Sequence, residues 1–378
     1  MATPAATRGG TTIGSYTRFP AIIPPVNRIP YLGPTDLPLV LADIRKRAQD
    51  YDQSGDWPTL DLGALEAAGA MRWAITKEFG GDELSPLDLH LKYEQLAAAS
   101  LSTALILTQR DSAVGLLTTS SAAPKRGTLL HRFAKNENCT TVGIAQLTTS
   151  RQGGSPALRA EPVAGGYQLN GYIPWCTGAL MSQFIVAGAV LPDGQQLLFM
   201  LQPYLPGVNI DRPLALVALR STFTSSLGLK DVLLEDRWLL RGPIESALAG
   251  GRGGISLGQT FLAMGLCRAA LDLIADHRSD RAKAALHRFE EQLRELRGEI
   301  LALCQPGRES DASAANARLR GACNDLALRI THAAVALYKG TALLADHPAQ
   351  RLAREAMFLL VWSCPNPVID RTVDLLSV

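Results

Sequence analysis

Apolar positions recur at helical spacing near both ends of the chain and crowd into short runs between turn signals in the middle. Stretches 39–52, 61–73 and 86–107 carry the i, i+3, i+4 rhythm of amphipathic helices. The last opens on Ser85-Pro86-Leu87-Asp88, an N-cap residue followed by proline at the first helical position. Late in the chain, Leu286, Phe289, Leu293, Leu296, Ile300 and Leu303 form one stripe, with Glu290, Glu291, Arg294 and Glu295 outside it. Leu319, Cys323, Leu326, Ile330, Ala333 and Leu337 form a second stripe after the Pro306-Gly307 break. Two long helices with matching seams and a short connection pack antiparallel. With helices expected near 256–277 and 347–363, the simplest C-terminal architecture is a four-helix bundle.

Between Cys139 and Leu240 the runs shorten, and Ala164-Gly165-Gly166, Asn170-Gly171 and Pro192-Asp193-Gly194 separate them as turns. Antiparallel strands are expected, most clearly a hairpin of 186–191 with 195–201. The predicted fold is therefore α+β and multidomain: an extended arm over 1–38, a helical domain over 39–138, a β domain over 139–242 and a helical bundle over 243–378. The arm is predicted from its six prolines between Pro20 and Pro38, which disfavour regular helix.

Composition narrows the function classes. Thirty-seven Lys and Arg against 35 Asp and Glu leave a net charge of +2 in 378 residues, without the basic excess of a nucleic-acid binder. The apolar segments 96–107 and 184–191 fall short of the ~18 residues a membrane span needs. Met1 to Thr12 lacks the apolar stretch of a secretory signal, so a cytoplasmic protein is expected. Six cysteines and six histidines show no metal-ligand spacing, and no metal site is predicted.

Local motifs resemble those of the acyl-CoA dehydrogenase family over roughly residues 40 to 365. Ile75-Thr76-Lys77-Glu78-Phe79-Gly80-Gly81 is similar to the family's V-P-E-E-Y-G-G ahead of a long helix. Ala145 to Ser155 aligns without a gap with the flavin loop A-Y-C-V-T-E-P-G-A-G-S. Leu169 to Gly178 resembles I-N-G-Q-K-M-W-I-T-N, keeping Asn170-Gly171, Trp175 and Thr177 at matching spacing. Leu219 to Thr224, with Gly228 to Val232, resembles the G-x-R-x-S-x-T and F-x-D-V strand pair.

The resemblance implies FAD, with Gln146, Thr148, Thr149, Ser155, Trp175 and Thr177 as cofactor-binding residues. An isoalloxazine needs a flat apolar wall plus donors and acceptors at its edge, which an indole and a hydroxyl two residues apart on a strand can supply. A Gly-Gly-Ser turn at 153–155 suits close approach to a pyrophosphate. The resemblance also implies an acyl-thioester substrate, bound to CoA or a carrier protein, and a homo-oligomer, dimer or tetramer.

The chain departs from the family where chemistry is concentrated. Aligning Arg354-Glu355-Ala356 with R-D-A puts Trp362 on the tyrosine and Ser363 on the glutamate of Y-E-G-T, the base that removes the α-proton. At the start of the first bundle helix, the alternative place for that base, stand Ile255, Ser256 and Gln259. The R-x-x-F-G through which a neighbouring subunit reaches the dinucleotide has no match after Ser279-Asp280, and Q-x-F-G-G becomes Ala336 to Gly340 with one glycine.

No catalytic residue is assigned. Glu355 is expected to pair with Arg351 or Arg354, His332 and His347 to be structural, and Cys364 to lack a His partner; Asp370 and Asp374 lie beyond the helix-breaking Pro365 and Pro367. Three readings stay open: a flavin-dependent oxidoreductase on an acyl thioester with a displaced base, a flavin-dependent monooxygenase on the same scaffold, and a catalytically silent homologue serving assembly or partner binding.

Overall fold

The computed structural model describes residues 31–120, 126–147, 156–248, 257–305, 312–362 and 364–377. Five helices come first: α1 (Leu37–Ser54), α2 (Thr59–Ala67), α3 (Pro86–Ala99), α4 (Leu101–Thr118) and α5 (Arg126–Ala134). The expected helix over 86–107 is two helices, because Ser100 sits in an extended conformation between them. Its hydroxyl accepts from the Thr103 amide and so caps α4, as Ser85 caps α3 from Asp88.

Eight strands follow: β1 (Thr140–Gly143), β2 (Leu158–Val163), β3 (Gly166–Cys176), β4 (Phe184–Val190), β5 (Gln196–Leu201), β6 (Val208–Ile210), β7 (Ser225–Glu235) and β8 (Leu239–Ile244). They form one sheet in the order β6-β7-β3-β2-β4-β5-β8, with β1 also on β4. The β4–β5 hairpin forms as expected across Pro192-Asp193-Gly194. The sheet is mixed rather than wholly antiparallel, since β1 and β2 each run parallel to β4.

Asn170-Gly171, expected as a turn, lies inside β3 at a register shift against β7. Gly171 has φ +131°, and a Cβ there would stand 2.1 Å from the Ala157 carbonyl oxygen. Asn170 accepts from the Asp231 amide at 2.9 Å and donates to its carboxylate at 3.3 Å. The pair is thus required by the sheet itself, and its spacing needs no ligand to explain it.

Five helices complete the chain: α6 (Leu257–Ala275), α7 (Asp280–Leu303), α8 (Ala312–Tyr338), α9 (Pro348–Leu359) and α10 (Asn366–Leu376). The last was not expected: the helix expected over 347–363 ends at Leu359, ahead of the prolines, and Pro365 and Pro367 start another, Pro365 at the N-cap and Pro367 in the first turn. The α7 and α8 stripes pack as the periodicity predicts, with Ile300, Leu319, Cys323, Leu326 and Ile330 buried. Helix α6 is long and apolar enough to cross a membrane, but most of it is buried in the fold.

Two cores cut across the sequence order. One joins α1, α3 and the first half of α4 to α6 through α9, with Leu96, Leu101, Phe261 and Leu326 fully enclosed. The other joins the end of α4 and α5 to the sheet through Leu117, Phe133, Leu169 and Phe199. Each such buried aliphatic or aromatic side chain contributes about 1.5–3 kcal/mol. Helix α4 belongs to both cores, so it fixes the sheet relative to the C-terminal helices.

Candidate functional site

The C-terminal end of β3 carries two of the residues expected to meet a flavin. Trp175 is 49% exposed, on a strand whose hydrogen-bonded neighbours β2 and β7 also carry exposed positions. Thr177, one residue past the strand, is 9% exposed. It leads into Gly178, which adopts the left-handed conformation at φ +64° and packs against the Trp57 ring.

Thr177 is held by three other threonines, Thr141, Thr222 and Thr224. Its carbonyl accepts from Thr141 Oγ1 at 2.8 Å, and the next amide, Gly178 N–H, donates to the Thr222 carbonyl at 2.9 Å. Its own Oγ1 lies 3.2 Å from Thr224 Oγ1, which lies 2.8 Å from Thr222 Oγ1. Thr222 and Thr224 come from the segment between β6 and β7, where a 3-10 turn, Arg220–Thr222, is flanked by left-handed Leu219 and Phe223. Positive φ at two bulky residues is costly, about 1–3 kcal/mol each, and persists because the surroundings hold it. Phe223 packs on Trp57 at 5.6 Å between centroids, and Arg220 donates to the Gln53 carbonyl. The threonines were missed as a set in the sequence, although Thr224 occupies the threonine of the G-x-R-x-S-x-T resemblance.

Gln146 stands apart from this group. It is 7% exposed, and its Nε2 donates to the carbonyls of Gly143 and Gly188 at 2.9 and 2.8 Å, tying the segment after β1 to β4. Its Oε1 is buried without a partner among the described residues, leaving an acceptor open to a ligand or water. Thr148, Thr149 and Ser155 lie outside the described residues, as do Ser363, Ile255 and Ser256.

The residues weighed as replacement bases are otherwise engaged. Glu355 is 2% exposed and accepts two hydrogen bonds from Arg351 Nη1, at 3.0 and 3.2 Å, as its sequence position suggested. Burial pushes its carboxyl above the usual range against the pull of Arg351. His332 Nδ1 lies 2.7 Å from the Leu328 carbonyl, and His347 caps α9 by accepting from Ala349 N. Asp370 and Asp374 are exposed on α10. Cys364 is buried, and its Sγ lies 3.3 Å from the Leu359 carbonyl and 3.4 Å from Arg320 Nη2. Burial raises its thiol pKa, which disfavours a nucleophilic thiolate.

A wider pattern emerges from the acids. Among the described residues every buried carboxylate is paired with arginine: Asp52 with Arg354, Asp61 with Arg47, Asp111 with Arg110, Asp325 with Arg329 and Glu355 with Arg351. The segments 148–155 and 249–256 contain no Asp or Glu at all. No group of His, Cys, Asp and Glu among the described residues is placed to hold a metal.

The family model for the acyl-CoA dehydrogenase N-terminal domain matches residues 39–137. A probable acyl-CoA dehydrogenase of Bacillus subtilis is 23% identical over 351 residues, covering 84% of this chain and 89% of that protein. The structure of butyryl-CoA dehydrogenase from Megasphaera elsdenii superposes with a TM-score of 0.76 at 18% identity, covering 90% of this chain and 97% of that one. Residues 39–137 are thus an acyl-CoA dehydrogenase N-terminal domain, and the chain as a whole is similar to acyl-CoA dehydrogenases and shares their fold. The fold is also shared with the dibenzothiophene monooxygenase of Paenibacillus, at a TM-score of 0.75 and 16% identity over 90% of this chain and 94% of that one. That monooxygenase has been solved with FMN bound.

The residues at the end of β3 fit the ring of a flavin. Trp175 offers an indole face and Thr177 a hydroxyl just below the surface, whereas the buried Oε1 of Gln146, without a partner among the described residues, lies apart in the turn after β1. The dinucleotide half has less to recommend it, because the subunit-crossing arginine and phenylalanine have no counterpart in the sequence.

Proposed function

We propose that this chain is a flavin-dependent oxidoreductase, with the isoalloxazine lying against Trp175 and its edge at Thr177. The exposure of Trp175 carries the reading, since an indole left 49% open beside a fixed hydroxyl fits an aromatic ligand better than it fits a sheet surface. A bound flavin would supply electron and hydride transfer, and the protein would supply the wall, the ring-edge contact and exclusion of water. FAD is the form that the family resemblance favours. Homo-oligomerisation, as a dimer or tetramer, and a cytoplasmic location belong to the same reading. The visible spectrum of the purified protein tests it, with the denatured supernatant analysed for FAD and FMN. A colourless protein that takes up neither flavin would overturn it.

The acyl thioester is the substrate class that the resemblance favours, with a base displaced from its usual place. The carboxylate pattern supports the second reading more strongly, a monooxygenase acting on an oxidisable small molecule without removing an α-proton. Removal of that proton needs an uncommitted carboxylate or equivalent within reach, and among the described residues the buried acids are all paired with arginine. The two readings separate in one experiment. Acyl-CoA and acyl-carrier thioesters added without oxygen bleach the flavin of a dehydrogenase. A monooxygenase shows no bleaching and consumes oxygen once a reductase is supplied.

A further inference from the structure

A groove of about 910 Å³ opens between the end of α1, the segment 213–220 ahead of β7 and the start of α9. That volume suits a small organic ligand. The charged residues lining it are Asp52, Arg354 and Arg220. Asp52 and Arg354 neutralise each other, with both Nη atoms of the arginine donating to the carboxylate. Arg220 has no acid partner among the described residues, and of its N–H donors only Nη1 meets a protein acceptor, the Gln53 carbonyl at 3.2 Å.

The Arg220 guanidinium is nonetheless fixed in place. It lies against Gly55, the left-handed C-cap of α1, where a Cβ would stand 3.3 Å from Nη2 and 3.4 Å from Cζ. The turn that carries it, Arg220–Thr222, is bounded by Leu219 and Phe223 at φ +59° and +46°. Strain of that kind persists only where the surroundings enforce it, and it gathers at ligand clamps. Much of the remaining lining is apolar and comes from one run of chain, Pro213, Leu214, Leu216 and Val217. Arg354 donates to the Val217 carbonyl and so ties this run to α9, while Val217 itself is left 71% exposed.

We propose that this groove binds an amphipathic carboxylate, with its head on Arg220 and its apolar body along residues 213–217. A carboxylate matches the planar guanidinium and supplies the acceptors that the protein does not. The apolar run removes the body of the ligand from water. A bare anion gains only the head contact, which solvent weakens in an open groove, and a neutral chain leaves Arg220 without its acceptor. Neither Trp175 nor Thr177 lines the groove, so this site stands apart from the flavin reading.

Calorimetric titration of the purified full chain with octanoate tests the proposal, with acetate as the head alone and octanol as the body alone. Octanoate is expected to bind saturably below about 1 mM, and acetate and octanol at least about tenfold more weakly. Arg220→Gln removes the charge and is expected to weaken octanoate at least about tenfold. Val217→Glu sets a like charge on an exposed side chain of the groove and is expected to weaken octanoate as well, whereas Val217→Lys tightens it. The Val217 pair changes a side chain with little packing, so it decides the matter even where Arg220→Gln disturbs the turn.

Absence of saturable octanoate binding overturns the proposal. Octanol binding as tightly as octanoate does the same, as does octanoate binding that Arg220→Gln and Val217→Glu leave unchanged, since it then belongs to another cavity. Trp175→Leu is expected to keep the wild-type octanoate affinity, and a loss there would move the carboxylate to the end of β3 and overturn the assignment to this groove.

Discussion

Arg351 Nη1 reaches both carboxylate oxygens of Glu355 one turn along α9, with the two side chains only 8% and 3% exposed. Breaking such a pair from one side leaves a buried charge without its partner, at a cost of about 3–5 kcal/mol, while replacing both sides with apolar groups is far milder. Glu355→Leu is therefore expected to be severely destabilising in urea titration, and Arg351→Met/Glu355→Leu to recover most of the loss. A structural role also predicts that Glu355→Gln leaves flavin reduction by any active substrate within a few-fold of wild type. Loss of reduction with flavin still bound would restore Glu355 as a candidate base.

The glycine of Asn170-Gly171 is expected to be irreplaceable for steric reasons. Gly171→Ala combines a strained φ with a contact of 2.1 Å to the Ala157 carbonyl, so a loss of at least about 2 kcal/mol is predicted. Gly194→Ala supplies the control. It also has positive φ, +88°, but a Cβ there meets nothing within 4 Å. Its cost should be about 1 kcal/mol, the backbone contribution alone. Equal losses at the two positions would show that the close approach to Ala157 is relaxed at little cost.

Glu94 on α3 and Arg297 on α7 form a partly buried pair, at 2.9 Å, beside a groove of about 560 Å³ that also exposes Arg45, Lys46 and Arg268. Burial raises the Glu94 pKa above its ordinary 4.5, and Arg297 only partly opposes this. A raised folded-state pKa contributes stability that is fully present below the unfolded value and lost as pH rises through the folded one. Relative to Glu94→Gln, which cannot ionise, wild type should lose stability between pH 4.5 and the raised pKa and then level off. Urea midpoints across pH 4 to 7.5 measure the difference. A gap that moves the other way would mean that Arg297 outweighs desolvation.

Periodicity made the helices legible because each buries one face, and α7 and α8 follow their stripes from Leu286 to Leu337. It missed the break at Ser100, where apolar and small residues continue through the capping position and only the hydroxyl marks it. It misread Asn170-Gly171 for the opposite reason, since a bulge inside a strand and a turn between strands ask for the same residues. Trp175 and Thr177 were legible as a motif, but their environments differ: one is half exposed and the other is enclosed. The threonine chain was hidden because Thr141, Thr177 and Thr224 are distant in sequence and meet only when β1, β3 and β7 assemble. Arginine pairing of the buried acids is local in sequence at Glu355 with Arg351, at Asp325 with Arg329 and at Asp111 with Arg110, but not at Asp52, whose partner Arg354 is 302 positions away.

Trp175 offers a test in which stability and ligand binding separate. An indole that is 49% exposed contributes little to the core, and Trp175→Leu should change the unfolding free energy by no more than about 0.5 kcal/mol. Loss of an aromatic face against the ring should cost about 0.5–1.5 kcal/mol of binding, or roughly twofold to just over tenfold in affinity. Quenching of flavin fluorescence on addition to apoprotein reports the affinity, and urea titration reports the stability. Trp175→Phe keeps an aromatic face and should fall between wild type and Trp175→Leu. A large loss of stability with unchanged flavin affinity would make Trp175 an anchor of the sheet and move the flavin, if one binds, away from the end of β3.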